Sequence, residues 1–135
     1  MEYKDLKTEY ETFKKVFCPF LKEDVSFNSK GLRHLFYKNG QRKRSEIEVV
    51  ERFNFIKNAK DILSITTTLQ EKEIRVVRIM FYAFIAIMEE VKLKVVIKKD
   101  GDNGGWYFYS VIPHYITSPK RDTKIKDRVG TKKSV

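Results

Sequence analysis

His34 is the residue in this chain best suited to acid–base work. Its reference pKa lies near neutrality, and the neighbouring Arg33 or the downstream Arg44 would push it lower, towards a neutral base. The other chemistry-bearing groups are arginines, lysines, and the serine and tyrosine hydroxyls of β-rich segments. Such parts suffice to cleave RNA without a metal. A base deprotonates the ribose 2′-hydroxyl, which attacks the adjacent phosphate. A cation then stabilises the phosphorane-like transition state, and an acid protonates the leaving oxygen. The competing reading is a histidine that points to solvent from a short helix. Other site types lack their parts. No Gly-rich phosphate loop runs into Lys-Ser or Lys-Thr. No nucleophile elbow is present. Asp100 and Asp102 beside Asn103-Gly104 lack the downstream glutamate of a calcium loop. Two histidines and one cysteine make a protein-built zinc site improbable, and no cofactor is expected.

The elements that must position these groups follow from periodicity. Tyr3, Leu6, Tyr10, Phe13 and Phe17 recur at spacings of three and four, which predicts an amphipathic helix over residues 2–17 ended by Pro19. Val25-Ser26-Phe27 reads as a short extended piece. Asn28 or Ser29 caps a second helix that turns Leu32, Leu35 and Phe36 inward, carries Arg33 and His34, and stops at Asn39-Gly40. Gln41-Arg42-Lys43-Arg44 is a concentrated basic loop. Ser45 with Glu48 forms a capping box for a third helix whose inward positions are Ile47, Val50, Phe53 and Ile56. A break is expected at Asn58-Ala59-Lys60-Asp61, and a turn at Gln70–Glu73. Residues 74–88, rich in Val, Ile, Phe and Tyr, predict one long, bent strand.

Two β-rich runs then flank a Gly/Asp/Asn cluster, the signature of a hairpin with a loose tip: Lys92–Lys99 and Trp106–Pro113. Alternation turns Leu93, Val95 and Ile97 towards the helices and Lys92, Lys94, Val96 and Lys98 outwards. In the second run Trp106, Phe108, Ser110 and Ile112 share one face, and Tyr107, Tyr109 and Val111 the other. Which of these sets lies beside the lysine row depends on the register of the hairpin. Exposed aromatics there would stack bases.

The 135 residues bound a single core, and the 13% aromatic content argues against disorder. The net charge of +10 predicts attraction to polyanions, nucleic acid first and an anionic membrane surface second, with plain solubilising charge as the alternative. Cys18, among Phe17, Pro19 and Phe20, is expected to be a buried, inert thiol. No apolar run is long enough to span a bilayer. The expectation is a cytoplasmic protein with one domain over residues 1–118 and a basic, disordered tail over 119–135.

Gly31-Leu32-Arg33-His34-Leu35, the basic loop and helix behind it, Ile74-Arg75 to Tyr82-Ala83-Phe84, and the hairpin ending Ser110-Val111-Ile112-Pro113 together resemble the phage and toxin nucleases of the barnase–EndoU–colicin–RelE superfamily. The resemblance spans roughly residues 25–115. It implies an α+β fold with N-terminal helices packed on an antiparallel, roughly four-stranded meander. It also implies a metal-independent ribonuclease acting on tRNA or mRNA, with an antitoxin or immunity protein as a possible partner. The superfamily's helix position matches His34 and its strand hydroxyl matches Ser110. Its basic positions correspond to Arg44, Arg78 and Lys98. Where a second histidine often follows the first, this chain has Lys38, so the acid/base pair is either incomplete or completed by Lys38 and Tyr82. The nucleic-acid contacts implied are Lys38, Arg42, Lys43, Lys94, Lys98, Tyr82 and Tyr109, with His34, Ser110, Arg78 and Arg44 as the catalytic group. The rival reading is a non-catalytic basic regulator or phage inhibitor that holds nucleic acid with the same surface.

Overall fold

The structure, a computed structural model, describes residues 3–38, 42–75, 78–88, 90–101 and 104–115. The expected tail, the Asn39-Gly40 helix stop and Asp102-Asn103 of the hairpin tip lie outside these residues. The class is α+β, and the sheet has six strands where about four were expected. Its order is β1 (Lys15–Cys18), β2 (Glu23–Ser26), β8 (Trp106–Tyr115), β7 (Val91–Asp100), β6 (Ile79–Met88) and β5 (Glu71–Arg75). All neighbours are antiparallel except β2 and β8, which run parallel over Val25↔Trp106 and Ser26↔Tyr107. A two-stranded ribbon, β3 (Tyr37–Lys38) with β4 (Arg42–Lys43), stands apart.

The helices are α1 (Tyr3–Glu11), α2 (Ser29–Phe36), α3 (Glu46–Asn54) and α4 (Ile56–Ile65). The first is shorter than its aromatic spacing predicts. Leu6, Tyr10 and Phe13 are buried, but the chain turns at Lys14 (φ 53°) and Phe17 sits exposed on a strand. That strand puts Cys18 inside, where burial pushes its thiol up. The Asn28 cap is present, with Oδ1 accepting from the Lys30 and Gly31 amides. The capping box of Ser45 and Glu48 is also present. In α3, however, Val49 and Phe53 are the buried residues and Ile47 is 82% exposed. The stripe is shifted from the expected one. The expected break at Asn58–Asp61 is helical instead, because Ile56, Ala59, Ile62 and Leu63 complete a buried stripe past a single turn at Phe55. Thr66–Gln70 is therefore a connection, and the expected turn at Gln70–Glu73 is mostly edge strand β5. The long strand over 74–88 is divided near Arg78, whose φ is 77°.

The outward lysine row and the inward Leu93, Val95 and Ile97 are as the alternation requires. The second hairpin strand departs from simple alternation. Ile97 pairs with Phe108 and Val96 with Ser110, so Tyr109 is an extra, bulged residue. The bulge flips the pattern midway. Trp106, Phe108 and Val111 lie buried on the core side, while Tyr109, Ser110 and Ile112 accompany the lysines. β2 pairs with only the first two residues of β8. Beyond that point α2 lies against β8, so close that a β-carbon on Gly31 would stand 2.2 Å from the Phe108 carbonyl oxygen. This contact carries His34 to the sheet.

Candidate functional site

His34, near the end of α2, stacks on the bulged Tyr109 with ring centroids 3.9 Å apart and an interplanar angle of 21°. Both border an open cleft of about 580 Å³ that is also lined by Glu71, Glu73, Arg75, Phe81, Ala83, Lys94, Val96 and Ser110. Ala83 is the small residue on β6 between Glu71 and Val96. Across β6, Lys94 reaches Glu71, Nζ to Oε1 at 2.6 Å. Lys98 sits 5.4 Å over the Phe81 ring and 5.2 Å over Tyr109, and Arg75 sits 4.8 Å over Phe81 while paired with Glu73. The surface is thus cationic and aromatic, with two carboxylates on its edge strand.

Two arginines stand behind the histidine, Arg44 buried and Arg52 half-buried. Arg44, 6% exposed, donates from Nε to the His34 carbonyl at 3.2 Å and lies 3.8 Å from Glu48, while its Nη2 stands 3.5 Å from His34 Nε2. Arg52, on α3, donates from Nη1 to Ser110 Oγ at 3.0 Å and to the Val111 carbonyl at 3.1 Å. Burial, then Arg44, Arg52 and Lys98 in turn, lower the His34 pKa to about 4. The imidazole is neutral at physiological pH. A guanidinium offers only donors, so the Arg44 contact favours the tautomer with the proton on Nδ1. Burial raises the pKa of Tyr109 and keeps its phenol protonated, against the opposing charges of Arg75 and Arg44.

The expected site residues divide accordingly. His34, Ser110, Lys94 and Tyr109 border one cleft, with Lys98 beside it and Arg44 behind it. Lys38, Arg42 and Lys43 are exposed on the β3–β4 ribbon that follows α2. Tyr82 borders the cleft, but its ring packs against Phe20 and Trp106. Arg78 stands at the turn before β6, where its carbonyl accepts from the Gly101 amide, and it is not among the cleft's lining residues. Arg75, three residues earlier, has its cation there instead. Arg52, Arg75 and Glu71 carry the geometry without having been singled out in the sequence. Arg52 had a legible place on its helix, but its partner 58 residues away had no local signal. Among the described residues no group of three or more His, Cys, Asp or Glu side chains could hold a metal ion, and no helix is long and apolar enough to cross a membrane. Comparison with known proteins returns no matching family model, no matching curated protein and no matching solved structure.

Proposed function

We propose that this chain is a small ribonuclease of the toxin or phage type that cleaves single RNA strands without a metal ion. The observation that carries the reading is His34, held neutral among Arg44, Arg52 and Lys98 at the wall of a cationic, aromatic cleft. Phosphates would pair with Lys94, Lys98 and Arg75, and a base would stack on the exposed part of the Tyr109–Phe81 pair. His34 Nε2 exchanges its 3.5 Å contact with Arg44 for the 2′-hydroxyl and takes that proton as the new oxygen–phosphorus bond forms, since Nδ1 of this tautomer already carries one. The 5′-oxygen leaves with a proton, which the Tyr109 phenol, kept protonated and stacked by its ring on the histidine, would supply. Ser110 donates to a non-bridging oxygen. Lys38, Arg42 and Lys43 extend the positive surface along the flanking strand. An acidic antitoxin or immunity protein would compete for the same cations.

Incubation of the protein with total tRNA in EDTA should yield discrete fragments ending in cyclic phosphate, and His34→Ala should form them far more slowly. Absence of cleavage by the unaltered protein overturns the reading.

One observation favours the second reading, a binder without catalysis: Arg44 and Arg52 both spend donors on protein groups and not on the cleft. Salt dependence of binding then survives the loss of His34. Both readings share one expectation about Glu71, whose carboxylate holds Lys94. Glu71→Gln frees that lysine for a phosphate. RNA affinity should rise, and the slope of log affinity against log salt should steepen by about 0.7 for the one added contact to a single strand. A titration of RNA binding between low and moderate salt reads both.

A further inference from the structure

We infer, resting on the ribonuclease reading above, that Arg52 is a positioning residue that fixes the Ser110 hydroxyl as a donor to the phosphate in the cleft. Arg52 Nη1 reaches Ser110 Oγ at 3.0 Å and the adjoining Val111 carbonyl at 3.1 Å, so one group anchors both a side chain and the backbone beside it. A guanidinium has five donors and no acceptor. The serine oxygen is therefore held as an acceptor, and its own proton must go to another group. Ser110 is 6% exposed and borders the cleft beside His34, whose Nε2 already faces Arg44. An anionic oxygen entering the cleft is the acceptor that completes the set.

The fold explains why this arginine is available. β2 leaves β8 after Tyr107, so among the described residues the edge of β8 beyond it has no strand neighbour on that side, and its carbonyls need another donor. α3 supplies one at Val111. The same reach serves the site. The guanidinium also adds positive charge near His34, one of the causes of its lowered pKa.

The test uses the full chain with two short RNAs in EDTA, one cleavable and one carrying a 2′-deoxy nucleotide at the cleaved position. Ser110→Ala should lower kcat/KM and weaken affinity for the uncleavable strand, together by roughly 10- to 100-fold, the worth of a hydrogen bond to a charged group. Arg52→Gln should cost a similar factor, and the double variant no more than the worse single one. Arg52→Lys, which keeps a donor and the charge, should recover part of the loss when Ser110 is present and clearly less when it is absent, where only the Val111 bond and the charge near His34 remain to be restored. That comparison stays informative if Arg52→Gln folds poorly. Losses that multiply in the double variant, or an Arg52→Lys effect that is the same with and without Ser110, would overturn the assignment. If the unaltered protein binds RNA but cuts neither strand, the ribonuclease reading fails, while the coupling in affinity still decides the Arg52–Ser110 relation. No binding of either RNA removes both.

Discussion

Gly31→Ala should destabilise the protein by about 3 kcal/mol, at the upper end of the cost of overpacking. Alanine is ordinarily favoured over glycine inside a helix by about 1 kcal/mol, so a helix free of tertiary contact would gain from the change. Here the added carbon would stand 2.2 Å from the Phe108 carbonyl oxygen and 2.7 Å from the Tyr10 hydroxyl. The first of these is backbone held in a strand and cannot swing aside. Tyr10 is fixed by its own bond to the Asn28 carbonyl at 2.8 Å. Either α2 withdraws from β8 or β8 bends, and each outcome moves His34 off Tyr109. Urea unfolding should show a lower midpoint with little change in slope, together with a loss of RNA cleavage beyond the loss of folded protein. An unchanged or raised midpoint would mean that α2 does not approach the strand so closely.

His34→Ala should lower the cleavage rate by about 10²- to 10⁴-fold, the range of a general base, with a much smaller change in affinity. The pH dependence separates this from a structural effect. With its pKa lowered to about 4, the histidine stays deprotonated through the neutral range. The acidic limb of kcat/KM should then fall with a midpoint near pH 4, and not near the reference value of 6.5. The same shift fixes the sign of its effect on stability. The folded state resists protonation while the unfolded chain takes up the proton around pH 6.5, so stability declines as pH falls from about 6.5 towards about 4. Above that window the residue contributes no pH dependence. An acidic limb near 6.5 would show an imidazole free of its buried cationic surroundings.

Local signals were readable and long-range ones were not. The Asn28 cap and the box of Ser45 with Glu48 are written in neighbouring residues, and both stand in the fold. The lysine row needed only the two-residue period of a strand. Tyr109 shows the limit. A bulge is defined by the partner strand, so the residues from Trp106 to Ile112 give no sign that one of them is unpaired, and simple alternation groups Ser110 with Trp106 and Phe108, from which the bulge separates it. The stretch Asn58–Asp61 misleads for a different reason. Ala59 carries the buried stripe forward while Asn58 and Lys60 flank it and bond to Met88 and Phe13, so polar composition at that point does not mark a loop. β5 carries no clear period in Glu71-Lys72-Glu73-Ile74-Arg75, because an edge strand bordering solvent needs none. At the site, His34 and Ser110 had visible chemistry. Arg52, Arg75 and Glu71 acquire theirs only from what the fold sets opposite them.

The most direct test of RNA cleavage through the 2′-hydroxyl uses a defined single-stranded RNA in EDTA beside the same strand with one 2′-deoxy nucleotide at the cut position. The account predicts that the first is cut to a product ending in 2′,3′-cyclic phosphate, and that the second is bound with similar affinity but left intact at that position. Cleavage of both strands, or binding of both without cleavage of either, would contradict it.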